Sequence, residues 1–234
     1  MAPLPLAGAS VLIAGATGGL GTALAAECAR RGARLTLVGR DSEKLAALGG
    51  HHPGATTGRL DLRSPDACAE AVATAVSAHG ALDICIDAAG VVAFGPVAEL
   101  DVDTMEELFL TNVFLPMMLS RAALAAMTTA GRGAIVNISG VIAEQNLPGM
   151  AAYGASKAAL RSFDEALARE ARRVGVRVID ARPPHTETGL STRPIAGTAP
   201  RMPVGLSPER VATVICDAIE QGLDDLPSSA FTPG

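Results

Sequence analysis

The chain has 234 residues, of which 49% are hydrophobic and 18% are charged, and its formal net charge at pH 7 is −5. This composition indicates a globular protein with a sizeable core and excludes disordered and fibrous chains. An acidic chain without a basic run is not expected to bind nucleic-acid phosphates.

Cysteine usage and hydropathy indicate a reducing compartment. The four cysteines are scattered and none forms a C-x-x-C pair, so we expect buried reduced thiols and no metal site. No charged segment precedes a long apolar run, and no run of about 20 apolar residues suggests a membrane span. We therefore expect a cytoplasmic protein that does not associate with membranes.

The first half of the chain alternates β-rich runs with alanine-rich segments that are typical of helices. Strands are predicted at 10–15, 33–40, 55–62 and 82–90, and helices at 19–32, 41–50 and 64–80. Asp41 is expected to cap the second helix. Ser64 is expected to cap the third, which has Pro65 at its first position.

The second half continues the alternation. A long helix is predicted at 104–129 with a kink at Pro116, followed by a strand at 133–140, a helix at 151–175, a strand at 176–183, a loop at 184–206, a helix at 207–222 and a short edge strand in the tail. Strands that alternate with helices predict a mainly parallel sheet covered on both faces and wound by right-handed crossovers. We expect one α/β domain over residues 1–234 with a Rossmann-type doubly wound sheet.

The segment AGATGGLG, residues 14–21, lies where the first strand turns into the first helix. Gly15, Gly19 and Gly21 have the spacing G-x-x-x-G-x-G. Glycines let the backbone turn tightly and approach a pyrophosphate, which the amino end of the following helix attracts. A glycine-rich turn that serves packing alone is the alternative, and the strand–turn–helix context favours dinucleotide binding.

The end of the second strand predicts which dinucleotide is bound. Folds that prefer NAD usually place an acid here to hold the ribose 2′-hydroxyl, whereas this chain has Gly39 followed by Arg40. An arginine there can pair with a 2′-phosphate, so we expect NADP(H). Asp41 is expected to begin the next helix, and a solvated Arg40 in a turn is the alternative.

Further motifs follow in a recognisable order. They are LDL (60–62), DAAG (87–90), TNVF with Asn112, YGASK with Tyr153 and Lys157, and RPPHTET (182–188). Together with the glycine segment they resemble the short-chain dehydrogenase/reductase family from about residue 10 to residue 222. DAAG matches the family's N-N-A-G only in Ala89 and Gly90, and Pro184 replaces a glycine of the family's P-G-x-x-x-T.

The resemblance implies a set of cofactor-binding residues, with Asp61 at the adenine and Thr188 at the nicotinamide carboxamide. The expected residues are Gly15, Thr17, Gly18, Gly19, Leu20, Gly21, Arg40, Asp61, Leu62, Ala88, Ala89, Gly90, Tyr153, Lys157, Pro183, Thr186 and Thr188.

The resemblance also implies hydride transfer between a nicotinamide ring and a carbonyl or alcohol carbon of a small-molecule substrate. Tyr153 would exchange a proton with the substrate oxygen, and Lys157, which shares its helix face, would lower the pKa of the phenol. Lys157 would also bind the nicotinamide ribose, and Asn112 would hold a water in a proton relay. The alternative for Tyr153 is a half-buried aromatic residue without a chemical role.

The family's catalytic serine stands 13 residues before the tyrosine, and that position is Gly140 in this chain. Three interpretations are open. Ser139 replaces the serine, although strand alternation directs it to the other face. Alternatively, Tyr153 and Lys157 work without a serine, helped by Gln145, Asn146 or a bound water. In the third, the protein is a cofactor-binding pseudoenzyme or sensor with little redox activity.

The substrate side is expected to include Gly140, Gln145 and His185, with residues 187–206 forming a mobile lid. An exposed loop position is the alternative for His185. The two long helices are apolar on more than one face. Since the family commonly packs these helices against a second subunit, a homodimer or homotetramer is expected.

Overall fold

The computed structural model describes residues 3–231, which are built around seven parallel strands. The strands are β1 (Ser10–Ala14), β2 (Arg34–Gly39), β3 (Thr56–Arg59), β4 (Ile84–Asp87), β5 (Gly133–Ile138), β6 (Val176–Ala181) and β7 (Asp225–Leu226). Their order in the sheet is β3-β2-β1-β4-β5-β6-β7. The order reverses between β1 and β4, and such a switch point opens a crevice at the carboxyl ends of the strands.

Helices cover both faces of this sheet. They are α1 (Gly19–Arg30), α2 (Ser42–His51), α3 (Pro65–His79), α4 (Val102–Phe109), α5 (Leu115–Ala130), α6 (Ala151–Ala171) and α7 (Pro208–Gln221). Val11 and Ile13 of β1 join the core formed with α1, α2 and α7, whereas Leu12 and Ala14 join the core formed with α3, α5 and α6. This alternation along β1 confirms the predicted doubly wound parallel sheet.

Several predicted strands are longer than the observed ones. β3 and β4 each contain four residues, because the chain leaves the sheet before the residues that border the crevice. Asp41 caps α2 as predicted, accepting hydrogen bonds from the N–H groups of Glu43 and Lys44. The predicted edge strand in the tail is β7, while the ends of the predicted domain lie outside the described residues. All four cysteines are free and buried.

The long helix predicted at 104–129 runs from Val102 to Ala130 and contains an irregular turn. Residues Leu110–Phe114 form a π-helical turn between α4 and α5. Pro116 has no N–H, so the carbonyl of residue 112 cannot accept the usual bond from four residues ahead. The irregularity expected at Pro116 thus lies just before it, as a wide turn that holds Asn112.

The same continuous helix, 29 residues long, is long and apolar enough to cross a membrane by length and composition. We expected no membrane-spanning segment from the sequence. This helix becomes apparent only when α4, the π-helical turn and α5 are counted as a single helix. Half of its most apolar window is buried inside the structure, and core helices of proteins outside the membrane pass the same test of length and composition. The absence of membrane association stays a prediction.

Two helices that begin with Ser-Pro provide a test of local stability. Ser207 caps α7 by accepting a hydrogen bond from the Arg210 N–H at 3.2 Å, whereas the Ser64 hydroxyl makes no capping bond to a described residue. Ser207→Ala should therefore lower the free energy of unfolding by about 1 kcal/mol, measured by urea denaturation. Ser64→Ala is the matched control and should lower it less. Equal losses would contradict the role of the Ser207 cap.

Candidate active site

A cleft with a cavity volume of about 250 Å³ opens at the carboxyl ends of the central strands. It gathers many of the predicted residues from distant parts of the chain. Those lining it are Gly18, Gly19, Leu20, Ala88, Ala89, Gly90, Ser139, Gly140, Tyr153, Lys157, Pro183, His185, Thr186 and Thr188. The predicted residues outside this lining are Gly15, Thr17, Gly21, Arg40, Asp61, Leu62, Asn112 and Gln145.

The glycines of the first turn allow three backbone segments to meet at the cleft. A Cβ atom on Gly15 would lie 2.6 Å from the Ala89 nitrogen, and one on Gly19 would lie 2.6 Å from the Thr188 carbonyl oxygen. Gly15 has a φ of +67°, which also favours glycine. The glycine turn is therefore packed tightly against the segments that follow β4 and β6.

The amino end of α1 is suited to an anion. Its N-cap residue is Gly18, which has no side chain, and its first turn contains no acidic residue. The terminal N–H groups and the helix dipole therefore face the cleft without a carboxylate of the chain to satisfy them. These residues fit the diphosphate of a dinucleotide.

Arg40 follows β2 with an exposed side chain, and its carbonyl accepts a 3.2 Å hydrogen bond from Arg59 Nε. Thr17 lies beside this strand end, since a Cβ on Gly39 would be 3.1 Å from the Thr17 hydroxyl. The Asp41 carboxylate is occupied in capping α2. The nearby acid is therefore committed within the protein, whereas the Arg40 side chain is open to solvent.

The segment after β3 is occupied by a different interaction. Both carboxylate oxygens of Asp61 accept hydrogen bonds from Arg63, which also pairs with Glu107 at 3.0 Å. The Arg63 guanidinium thereby holds the pKa of Asp61 below its usual range. Leu62 is 4% exposed and belongs to the core. An adenine contact by Asp61 stays a prediction.

Tyr153 and Lys157 lie on the first two turns of α6, facing the cleft. Lys157 is 5% exposed, and its Nζ donates a 2.7 Å hydrogen bond to the Ile138 carbonyl at the end of β5. Burial lowers the pKa of Lys157 to about 8, although the carboxylates of Asp87, Asp180 and Asp164 oppose this shift.

The pKa of the phenol differs from the expectation. Burial raises the pKa of Tyr153 to about 12, so the phenol keeps its proton at neutral pH. This direction is opposite to the expected one, because burial disfavours the charged phenolate, and a lowering by Lys157 stays a prediction.

The Asn112 side chain binds neighbouring backbone and does not line the cleft. Its Oδ1 accepts from the Val91 N–H at 3.0 Å, and its Nδ2 donates to the Val91 carbonyl and to Ser156 Oγ. The amide therefore joins the segment after β4 to α6, and both of its N–H donors are used. The backbone carbonyl of Asn112 is the group that Pro116 leaves without its usual helical donor.

Ser139 is 1% exposed, and its hydroxyl donates a hydrogen bond to Asp180 on the neighbouring strand. Asp180 is also paired with Arg182, which is 4% exposed and binds Glu144 and Asp225. The hydroxyl proton of Ser139 is thus engaged within the protein. The replacement of the missing serine by Ser139 stays a prediction, and this contact argues against it.

Gly140 has a backbone conformation that other residues rarely adopt, with φ +84° and ψ 164°. The space beside it is open, since an added Cβ would meet only the Pro183 carbonyl oxygen, at 3.8 Å. The N–H groups of Ser139 and Gly140 both donate to the Ala181 carbonyl, which ends the regular ladder between β5 and β6. A serine at 140 would therefore be strained by the backbone, although it has room.

The prediction that Gln145 contacts the substrate is not supported, because its side chain is exposed and outside the cleft lining. The chain forms a 3₁₀ turn at Val141–Ala143 and carries Gln145 to the surface. Ile142, Leu147 and Met150 line the cleft in its place. His185 does line it, with its Nε2 3.4 Å from a Glu187 carboxylate oxygen.

The segment predicted as a mobile lid is anchored at two places. Ile195 donates its N–H to the Val92 carbonyl at 2.8 Å, and Phe94 donates to Ala196 at 3.0 Å. Near the other end, the Leu206 N–H donates to His185 at 2.8 Å. Cleft residues that the sequence analysis missed include Val92, Phe94, Leu190, Arg193 and Met202. No sequence signal identifies Val92 and Phe94, because these backbone bridges bring them to the cleft, whereas the other three lie within the predicted lid.

Comparison with known proteins agrees with this geometry. The model of the family described as short chain dehydrogenase matches residues 9–196. The protein named Dehydrogenase/reductase SDR family member 7B of Danio rerio is 32% identical over 244 residues, which cover 95% of this chain and 78% of that protein.

Two solved structures share the fold. A short chain dehydrogenase from Burkholderia cenocepacia in complex with NADP has a TM-score of 0.84 and 26% identity, covering 96% of this chain and 89% of that one. The 3-ketoacyl-(acyl-carrier-protein) reductase from Brucella melitensis complexed with NADH has a TM-score of 0.86 and covers 97% of this chain and all of the other. Its 22% identity shows the fold alone. With its parallel sheet, glycine turn and family match, the chain belongs to the short-chain dehydrogenase/reductase family of oxidoreductases.

Proposed function

We propose that this protein interconverts a carbonyl and an alcohol by hydride transfer with NADP(H), using Tyr153 as the proton donor and acceptor. The observation that carries the proposal is that Tyr153 and Lys157 share one cleft with the glycine turn at the amino end of α1. When bound, the nicotinamide cofactor supplies or accepts the hydride. The residues of this chain bind it, orient the substrate and move the proton.

In this proposal, the protonated Tyr153 donates from its phenol to the substrate oxygen during reduction. The Lys157 ammonium is held by the Ile138 carbonyl, which leaves its other N–H groups to bind a ribose hydroxyl and to offset the negative charge formed at Tyr153. Asn112 acts on the proton path through its backbone carbonyl, while its side chain fixes the segment after β4.

The cleft favours a site that works without a serine hydroxyl. The Ser139 proton is bound to Asp180, and Gly140 leaves open space beside Pro183. A bulkier substrate, or one with its own hydroxyl, fits that space. The second candidate is a cofactor-binding pseudoenzyme or sensor. The hydrogen bond of Ser139 to Asp180 supports this candidate, whereas the presence of Tyr153 and Lys157 in the cleft argues against it.

The preference for NADP(H) rests on Arg40. The guanidinium is exposed beside the end of β2, and Asp41 is held in its helix cap. A 2′-phosphate there would meet a cation and no free carboxylate from Asp41. The NADP complex of the Burkholderia protein and the NADH complex of the Brucella protein show that both cofactors occur on this fold.

We also propose a cytoplasmic homodimer or homotetramer. The outer faces of α5 and α6 form a groove lined by Phe114, Met117, Met118, Leu124 and Phe163. Phe114 is 54% exposed, which is unusual for a large aromatic side chain. A second copy of the chain would bury this surface.

Tyr153→Phe tests the proton transfer. It removes the hydroxyl and keeps the ring, so kcat should fall by roughly a hundredfold or more while the Kd for NADPH stays unchanged. The measurement is NADPH oxidation with a panel of ketones, quinones and keto-acyl compounds, together with NADPH fluorescence titration. If the unchanged protein binds NADPH but turns over none of these compounds, the pseudoenzyme gains support. Turnover by Tyr153→Phe close to that of the unchanged protein would refute the role of the phenol.

Arg40→Gln tests the cofactor preference. Loss of a charge-assisted contact to the 2′-phosphate should raise KM for NADPH on the order of tenfold and leave KM for NADH unchanged. Arg169→Gln, on the exposed side of α6, is the matched control for loss of one positive charge. A wild-type preference for NADH that Arg40→Gln does not alter would sink the NADP(H) assignment.

Substitution at Gly140 tests whether a serine hydroxyl is missing. Both Gly140→Ser and Gly140→Ala force a side chain onto a backbone with φ +84°, so each should lower the free energy of unfolding by about 1–3 kcal/mol. Because the two variants share the strain, their ratio of kcat isolates the hydroxyl. We expect a ratio near one, with both slower than the unchanged protein. A large gain for Gly140→Ser over the unchanged protein would show that the natural site is a weakened one.

A further inference from the structure

The lining of the cleft has an unbalanced set of charges. It includes two basic side chains, Lys157 and Arg193, and no aspartate or glutamate from residues 3–231. The Lys157 ammonium already donates to the Ile138 carbonyl. An anion that enters the cleft therefore meets Arg193 as its second cationic group.

The guanidinium of Arg193 is oriented but not neutralised. Its Nε donates a 3.0 Å hydrogen bond to the Gly189 carbonyl, which fixes one edge of the group. Across the described chain, no carboxylate lies within ion-pair distance of Arg193, whereas Arg31, Arg63 and Arg182 each bind two or more. The remaining N–H groups are available to a ligand.

The backbone around Arg193 is held in place before any ligand binds. Two residues later, Ile195 donates its N–H to the Val92 carbonyl, and Phe94 donates to Ala196. A binding group on an anchored segment loses less conformational entropy when its ligand arrives.

Contacts along the lid place Arg193 near the amino end of α1. A Cβ on Gly19 would lie 2.6 Å from the Thr188 carbonyl oxygen, so these two backbones touch. Gly189 follows directly, and its added Cβ would lie 3.6 Å from Arg193 Nη2. The helix end and the guanidinium thus flank one part of the cleft, and both attract anions.

We propose that Arg193 binds the diphosphate of the dinucleotide from the lid side, opposite the glycine turn. The inference rests on the proposed function in that it requires a dinucleotide, and it holds for NADPH and NADH alike, since both contain the diphosphate. Arg193 is a binding residue in this proposal and takes no part in proton transfer.

Arg193→Gln tests the assignment by NADPH fluorescence titration. Loss of the charge-assisted contacts should raise the Kd for NADPH and for NADH on the order of tenfold. Arg201→Gln is the matched control, because Arg201 is an exposed arginine on the same segment but outside the cleft lining. Its Kd values should equal those of the unchanged protein.

A second probe locates the anion. Adenosine 2′-phosphate has the 2′-phosphate but no diphosphate, so its displacement of NADPH reports the adenosine end alone. Its Kd should rise in Arg40→Gln and stay unchanged in Arg193→Gln. A parallel rise for adenosine 2′-phosphate in Arg193→Gln would overturn the diphosphate assignment.

The remaining outcomes separate this inference from the proposed function. If the unchanged protein binds neither NADPH nor NADH, the proposed function fails and the inference fails with it. If the unchanged protein binds a dinucleotide and Arg193→Gln binds it as tightly as Arg201→Gln does, only the inference is overturned. That result, with a raised KM for a carboxylate-bearing ketone, would assign Arg193 to the substrate instead.

Discussion

The buried ammonium of Lys157 is the group on which the rest of the site depends. A buried charge must be compensated, and the fold does this with the Ile138 carbonyl at 2.7 Å and with carboxylates on three different elements. Asp87 ends β4, Asp180 lies on β6, and Asp164 lies two turns further along the same face of α6. Burial raises the pKa of each of these acids, to about 7 for Asp87. Lys157 is consequently tied both to the strand end beside Gly140 and to the core beneath it.

The need to compensate a buried charge also constrains the path of the chain after β5. The buried Arg182 pairs with three carboxylates, and one of them, Glu144, also accepts a hydrogen bond from the Ser228 hydroxyl at 2.6 Å. The segment after β5 is thereby joined to β6 and to the C-terminal residues that follow β7. Ser139 contributes its proton to the same network through Asp180. Gly140, with its φ of +84°, lies where this network meets the end of β5, so the turn between Ser139 and Val141 is held by contacts from several elements.

Features that depend on local backbone constraints could be predicted from the sequence. The glycine turn, the Asp41 cap and the strand–helix alternation were of this kind, and so was the four-residue spacing that puts Tyr153 and Lys157 on one helix face. Features that depend on distant partners could not be predicted. Ser139 finds its partner 41 residues away, Gln145 reaches the surface through a 3₁₀ turn, and Arg193 reaches the cleft through bridges to residues 92–94. The raised pKa of Tyr153 was not predicted, because spacing reveals the ammonium but not the desolvation.

In the proposed reaction, burial and charge act differently on the proton of Tyr153 in the free protein and in the cofactor-bound protein. In the free protein the phenol of Tyr153, with its pKa raised to about 12, is set to donate a proton. Accepting one during alcohol oxidation requires a stabilised phenolate, and desolvation opposes it. The described lining of the cleft contains cations and no carboxylate, so it places no negative charge next to that phenolate. The diphosphate of a bound cofactor would add negative charge to the cleft. A cation set against the diphosphate, as proposed for Arg193, would offset that added charge and leave the Lys157 ammonium free to act on the phenolate. Reduction requires the protonated phenol and oxidation requires its conjugate base, so compensation of the charge on Tyr153 matters most in the oxidative direction.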